Sequence, residues 1–194
     1  MKKLILGSNS PRRKEILNEL GFEYSIRPSD IDETISENIP VKEVAEHLAI
    51  LKNKAIEKTP EEVVLSADTV VIIDNQILGK PKDASEAIAM LRRLSGRNHE
   101  VITGVCITSN QRTVSFSVST KISFHKLSDE QISNYVSKFN PVDKAGAYGI
   151  QEWIGHVAIK EIQGSYLNVV GLPADRVYFE LVNNFGIRPL AIVD

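Results

Sequence analysis

Ser8-Asn9-Ser10-Pro11-Arg12-Arg13 places two hydroxyls and two guanidinium groups directly after the apolar run Leu4-Ile5-Leu6. Proline favours the first position of a helix, so the spacing predicts a strand that runs into a helix mouth. Free backbone N–H groups and the helix dipole favour an anion there. The serines add donors, and the arginines add forked, permanent charge that matches phosphate oxygens. A surface turn with solvated arginines accounts for the same residues equally well. Lys52 and Lys80 are further candidates to neutralise phosphate as point charges, although a lone lysine is usually a solvated side chain. Asp68 lies in the apolar stretch Val63 to Ile73, where an ionised carboxylate is expensive unless it meets a cation or a metal. Function is one reason to keep it there, and a strand-end aspartate capping a turn is the plainer one. Glu33, in the acidic loop Asp30-Ile31-Asp32-Glu33, is a candidate second carboxylate for a hard cation such as Mg²⁺, against the default of a solvated loop charge.

Other chemistries lack their residues. His47, His99, His125 and His156 have no metal-ligand spacing. No Walker A loop, nucleophile elbow or zinc pattern is present. The sparse aromatics are not interleaved with basic residues, which disfavours a nucleic-acid platform.

The elements that must position these groups can be read from periodicity and punctuation. Lys3 to Leu6 reads as a buried strand. Ser10 is placed to cap a helix with Ile16, Leu17 and Leu20 on its apolar face, ended by Gly21. Tyr24 to Arg27 reads as extended. A second helix is predicted from about Val41 to Lys58, burying Val44, Leu48, Leu51 and Ala55. Val63-Val64-Leu65 and Val70 to Ile73 read as a strand interrupted by polar Ser66 to Thr69. Ser85 is placed to cap a third helix that Gly96 stops, and Ser128 a fourth that Pro141 closes. Val101 to Thr108 and Val114 to His125 read as strands joined by a polar turn. Asp143 to Gln151 reads as a loop, Val157 to Ile162 and Tyr166 to Val170 as strands, and Pro173 to Asn184 as a last helix. Mixed strands and helices in this order predict an α/β or α+β fold with an antiparallel element.

The totals set limits. A chain of 194 residues buries a core without staples. With 23 Lys+Arg against 25 Asp+Glu, the net charge of -2 gives no global attraction for a polyanion, so any phosphate affinity must be local. The single cysteine, Cys106, cannot close an internal disulfide and sits in an apolar run. A buried structural thiol in a reducing, cytoplasmic compartment is expected. The apolar run at the N-terminus is too short for a signal peptide, and no stretch has the ~18 apolar residues of a membrane span.

Taken together, Ser8 to Arg13, Asp32-Glu33, Leu48-Ala49 with Lys52, Ala67-Asp68-Thr69-Val70-Val71, Gly79-Lys80-Pro81, Asp143 to Gln151 and Asn168 to Pro173 resemble the Maf family, in order and over nearly the whole chain. Any one of these motifs is weak, and the ordered set is specific. The resemblance implies an α/β fold with a mixed sheet, like that of inosine triphosphate pyrophosphatases, as one domain over residues 1–194 with two lobes around a long cleft. It implies a nucleotide pyrophosphatase that uses a divalent cation, Mg²⁺ or Mn²⁺. Asp68 is then the proton acceptor, and Ser8, Ser10, Arg12, Arg13, Lys52 and Lys80 line the phosphate site. Glu33 and Asp68 are the metal partners.

The family's lysine on the second helix is followed by alanine. Here Asn53 follows Lys52 and Ala55 follows Lys54, so both lysines stay candidates. With Arg12, Thr69 and Gln151 in the ADTVV and AGAYGIQ contexts, the chain resembles the branch acting on dTTP and UTP rather than the one acting on 7-methyl-GTP. Gln151 offers both the donor and the acceptor that a pyrimidine imide edge requires. The expected partner is a nucleoside triphosphate, with neither nucleic acid nor membrane, and association as a homodimer stays open. The rival readings are a nucleotide-sensing regulator of septum formation with little turnover, and a different phosphotransfer enzyme using the same anion site.

Overall fold

The computed structural model describes residues 2–31, 33–34 and 38–190. Asp32 lies outside them. The strands are β1 (Lys3–Leu6), β2 (Tyr24–Ile26), β3 (Glu62–Ile73), β4 (Gln76–Leu78), β5 (Asn98–Thr108), β6 (Thr113–Phe124) and β7 (Ile159–Gln163). The helices are α1 (Pro11–Glu19), α2 (Val44–Lys54), α3 (Ala84–Leu94), α4 (Asp129–Phe139), α5 (Trp153–Ala158), α6 (Tyr166–Val170) and α7 (Ala174–Phe179). The sheet order is β2-β1-β3-β5-β6-β7, with β4 paired to β3. β1 runs parallel to β2 and β3, whereas β4 on β3 and β7 on β6 are antiparallel. The fold is therefore α/β with a mixed sheet, as the element order predicted.

The chain divides into two compact units: Met1–Asp68 with Thr103–Val118 and Gly171–Asp194, and Thr69–Ile102 with Ser119–Val170. In the first, β1 and β3 bury Leu4, Ile5, Leu6, Val63, Val64 and Leu65, and α1 buries Ile16 and Leu17; Ile5 and Val64 pack in one cluster with Ile56. α2 lies against β5 at Gly104, where a Cβ would come within 2.2 Å of the Ala45 carbonyl carbon. Only glycine admits that approach. Asn53 then locks the helix, giving its side-chain amide to the Val64 and Cys106 carbonyls at 3.0 Å each. The buried face of α2 is thus Val44, Ala45, Leu48, Ala49 and Asn53, not the predicted stripe through Ala55, which is exposed. An amide that can satisfy strand carbonyls displaced an alanine with little to bury.

β3 is one continuous strand and not the interrupted one expected. Its polar residues find partners without breaking the ladder: the buried Ser66 hydroxyl donates to the Ala49 carbonyl at 2.7 Å. In the second unit, α4 carries the capping box at Ser128 and Gln131. α3 is capped by Asp83, whose side chain accepts from the Glu86 N–H, and not by Ser85. Tyr166 to Val170 is a helix where a strand was expected. The Ser165 hydroxyl accepts the Asn168 N–H at 3.2 Å, starting a turn, and the Asn168 amide reaches the Val101 carbonyl and Thr120. Local capping overrode the β-branched propensity of the segment. The expected strand from Val157 likewise begins only at Ile159, after α5.

Candidate functional site

The segment between β1 and α1 carries the first half of the site. Ser10 stands at the N-cap of α1 but makes no side-chain cap bond, contrary to expectation. Instead the Ser8 hydroxyl accepts the Ser10 N–H at 3.2 Å and the Arg13 Nη1–H at 3.2 Å. A hydroxyl that already accepts twice keeps one proton to donate. With Pro11 at N1 and the Ser10 side chain making no cap bond, the helix mouth retains its anion-favouring character. Arg13 is fixed on its other edge by donating Nε–H to the Gly171 carbonyl at 2.9 Å. Burial lowers the Arg13 pKa from its ordinary value, Arg12 lowers it further, and Asp68 and Glu33 oppose the shift. An arginine stays charged throughout, so the result is a desolvated, preorganised guanidinium beside a second one.

The other half comes from α2 and β3. Lys52 Nζ lies 2.5 Å from Asp68 Oδ1 and 2.9 Å from Glu33 Oε1. The Lys52 and Asp68 side chains are 13% and 14% exposed, Glu33 49%. Of the two candidate lysines, Lys52 faces these carboxylates, and Lys54 is exposed. The choice follows from Asn53, whose buried amide sets the rotation of α2. Ser8, Arg13, Lys52, Asp68 and Glu33 thus form one cluster in the first unit, with Arg12 next to Arg13.

Two carboxylates sharing one cation are a donor set suited to Mg²⁺, which is commonly held by one or two carboxylates with phosphate and water completing its shell. Among the described residues no group of three or more His, Cys, Asp or Glu side chains could hold a metal.

The remaining predicted residues belong to the second unit. Thr69, next to Asp68 on β3, is half-buried. Lys80 is exposed and follows Gly79, whose carbonyl accepts the Gly146 N–H at 3.0 Å. That bond ties the Lys80 segment to the loop carrying Gln151, which is itself exposed. His99 is buried with Nε2 2.8 Å from the Tyr148 hydroxyl, and burial pulls its pKa down to about 4. The imidazole is therefore neutral near pH 7. Cys106 is buried, and burial pushes its thiol pKa up, which suits a structural thiol.

Sequence reading missed the Gly171 carbonyl that holds Arg13, and Asn53. Both lie within recognised motif regions, but backbone acceptors and buried amides leave no periodic signal. It also gave no role to Tyr135. Its hydroxyl donates to Glu152 Oε2 and accepts the Gly149 N–H at 3.2 Å.

A mixed α/β unit that brings a carboxylate, a lysine and a fixed arginine to a helix mouth has groups of the kind that suit a phosphate. The family model described as Maf-like protein matches residues 3–184, and the chain belongs to the Maf family. It is 46% identical over 182 residues to the dTTP/UTP pyrophosphatase of Phocaeicola vulgatus, covering 92% of this chain and 94% of that one. To the dTTP/UTP pyrophosphatase of Porphyromonas gingivalis it is 47% identical over 190 residues, covering 95% and 94%. Among solved structures, a HAM1 protein from Coxiella burnetii matches with a TM-score of 0.47 and 18% identity, over 64% of this chain and 73% of that one. No helix of the described residues is long and apolar enough to cross a membrane.

Proposed function

We propose that this chain is a nucleoside triphosphate pyrophosphatase that hydrolyses dTTP and UTP to the monophosphate and pyrophosphate. The observation that carries the reading is the cluster in which Lys52 holds Asp68 and Glu33 while Arg13 is fixed between Ser8 and Gly171. The names of the relatives at 46% and 47% identity supply the choice of pyrimidine substrates.

Ser8, Ser10, Arg12, Arg13, Lys52 and Lys80 bind the triphosphate and disperse its charge. Asp68 takes a proton from a water that attacks the α-phosphorus. The new P–O bond forms as the bond to the β-phosphate's bridging oxygen breaks, and pyrophosphate leaves with that electron pair. A divalent cation held by Glu33 and Asp68 supplies further charge neutralisation when bound. Gln151 and Thr69, with Arg12, discriminate the base. A single buried Cys106 suits the reducing cytoplasm that we assign as the compartment.

Hydrolysis of UTP in ¹⁸O-labelled water tests the reading, with label expected in the monophosphate alone. Label in pyrophosphate means attack at the β-phosphorus, and orthophosphate as first product means γ-cleavage. Tight binding of UTP without steady-state turnover supports the regulator of septum formation instead.

A further inference from the structure

Within the second unit, the turn that carries Gln151 is held by a partly buried polar network that the chemistry above does not use. Tyr135, on α4, is 1% exposed, and its hydroxyl joins the two ends of the turn. It accepts the Gly149 N–H and donates to Glu152 Oε2. The other Glu152 oxygen lies 3.1 Å from Lys144 Nζ, which also meets Asp143 at 2.7 Å. The turn closes on itself through the Glu152 N–H to the Gly149 carbonyl at 3.0 Å. The Glu152 side chain folds back so closely that a Cβ on residue 149 would meet its carboxyl carbon at 2.8 Å. Burial, and then the bond to Glu152, push the Tyr135 pKa up, so the phenol stays a donor at every working pH. Between the two pinned residues, Gln151 alone of positions 149–152 is exposed.

We propose that Tyr135 and Glu152 are positioning residues for Gln151, holding the turn 149–152 in the one shape that presents the Gln151 amide to the base of a pyrimidine nucleotide. The proposal rests on the reading that Gln151 contacts the base. An amide that must give and take a hydrogen bond in one plane discriminates only if its backbone is fixed. Neither residue touches substrate. Their effect is on binding and selectivity, not on the phosphoryl chemistry.

The test is steady-state kinetics with UTP, dTTP and ATP on the wild type, Tyr135→Phe, Glu152→Gln, Gln151→Ala and the double variant Tyr135→Phe/Gln151→Ala, with thermal melts alongside. Gln151→Ala should narrow the kcat/KM preference for UTP over ATP by about tenfold, as loss of a specific hydrogen bond does. Tyr135→Phe should raise KM for UTP about fivefold and narrow the same preference, with kcat within about twofold of wild type. In the Gln151→Ala background it should change KM and preference no further, since the two act through one group. Glu152→Gln keeps an acceptor for Tyr135 but sets an amide donor against Lys144, and should narrow the preference by about twofold. It decides the matter if Tyr135→Phe does not fold.

If Gln151→Ala narrows the preference while Tyr135→Phe and Glu152→Gln leave it intact, the positioning role is overturned and the base-reading role stands. If Gln151→Ala leaves the preference unchanged, the base-reading role falls and takes the inference with it. A loss of kcat equal for all three nucleotides and matching a lowered melting temperature makes Tyr135 merely structural, and also overturns it.

Discussion

Lys52 and Lys144 make the same arrangement twice. Each holds two carboxylates, at 2.5 and 2.9 Å for Lys52 and at 2.7 and 3.1 Å for Lys144. Their side chains are almost equally covered, 13% and 12% exposed. What differs is the company. Around Lys52 the further groups are cationic: Arg13 feels Asp68, Glu33 and Arg12, and the mouth of α1 carries no side-chain cap. That surplus of positive charge suits an incoming polyanion. Around Lys144 the further groups are neutral donors, the Tyr135 hydroxyl and through it the Gly149 N–H, and Glu152 is consumed by them. A lysine between two carboxylates is therefore no sign of catalysis by itself. The sign is whether the surrounding groups leave hydrogen-bonding capacity over.

The sharpest way to break this contrast is Asp68→Asn. The amide keeps the shape and loses the charge, so kcat for UTP should fall by about 10²–10⁴, the range for a positioned acid–base group, with the melting temperature little changed. A variant that keeps half the wild-type rate removes Asp68 from the mechanism. Metal removal probes the same region. Turnover should vanish in excess chelator and return with Mg²⁺ or Mn²⁺, because the side chains alone must otherwise offset the triphosphate charge. Full activity in chelator excludes the role given to Glu33 and Asp68 toward a cation.

Paired lysine variants sharpen the comparison directly. Lys52→Met should lower kcat/KM by about a hundredfold, as loss of one preorganised charge at a reacting phosphate does. Lys144→Met should act mainly on stability. It leaves Glu152 partly buried without its cation, a loss of about 1–3 kcal/mol, read as a drop of several degrees in the thermal midpoint with kcat within about threefold. If the two variants exchange these phenotypes, the distinction is wrong.

The smallest effect is on acid stability, where the two units should differ in window. Burial takes the His99 pKa from 6.5 to about 4 on folding. The unfolded chain then binds the extra proton between those values, and stability from the second unit falls as pH drops through that range. In the first unit, Arg27 and then the Thr59 N–H lower the Glu62 pKa from 4.5 to about 2. Its contribution is complete above 4.5 and is lost as pH falls toward 2. His99→Gln should flatten melting temperature against pH in the upper window only, and Glu62→Gln in the lower only. Unchanged slopes in both variants dispose of the assignment.

Some of this was written in the residue order. Ser8 to Arg13 after an apolar run specified a strand entering a helix mouth, because proline, apolar alternation and chain punctuation act within a few residues. Asp68 stood out because a charge in a β-branched run needs a partner wherever the run is buried. The family was legible because its motifs keep their order along the whole chain.

What the tertiary structure decided is which partners meet. The choice of Lys52 over Lys54 rests on Asn53 finding the Val64 and Cys106 carbonyls, which lie on separate strands, β3 and β5. The continuity of β3 rests on Ser66 reaching Ala49. The conversion of Tyr166–Val170 from expected strand to helix rests on Ser165, Val101 and Thr120. Tyr135 has a buried ring, and its hydroxyl acquired a purpose only when the fold brought Gly149 and Glu152 to it. Periodicity reports which side of an element is apolar. It does not report which distant polar group will satisfy a buried donor, and that satisfaction fixed each of these points.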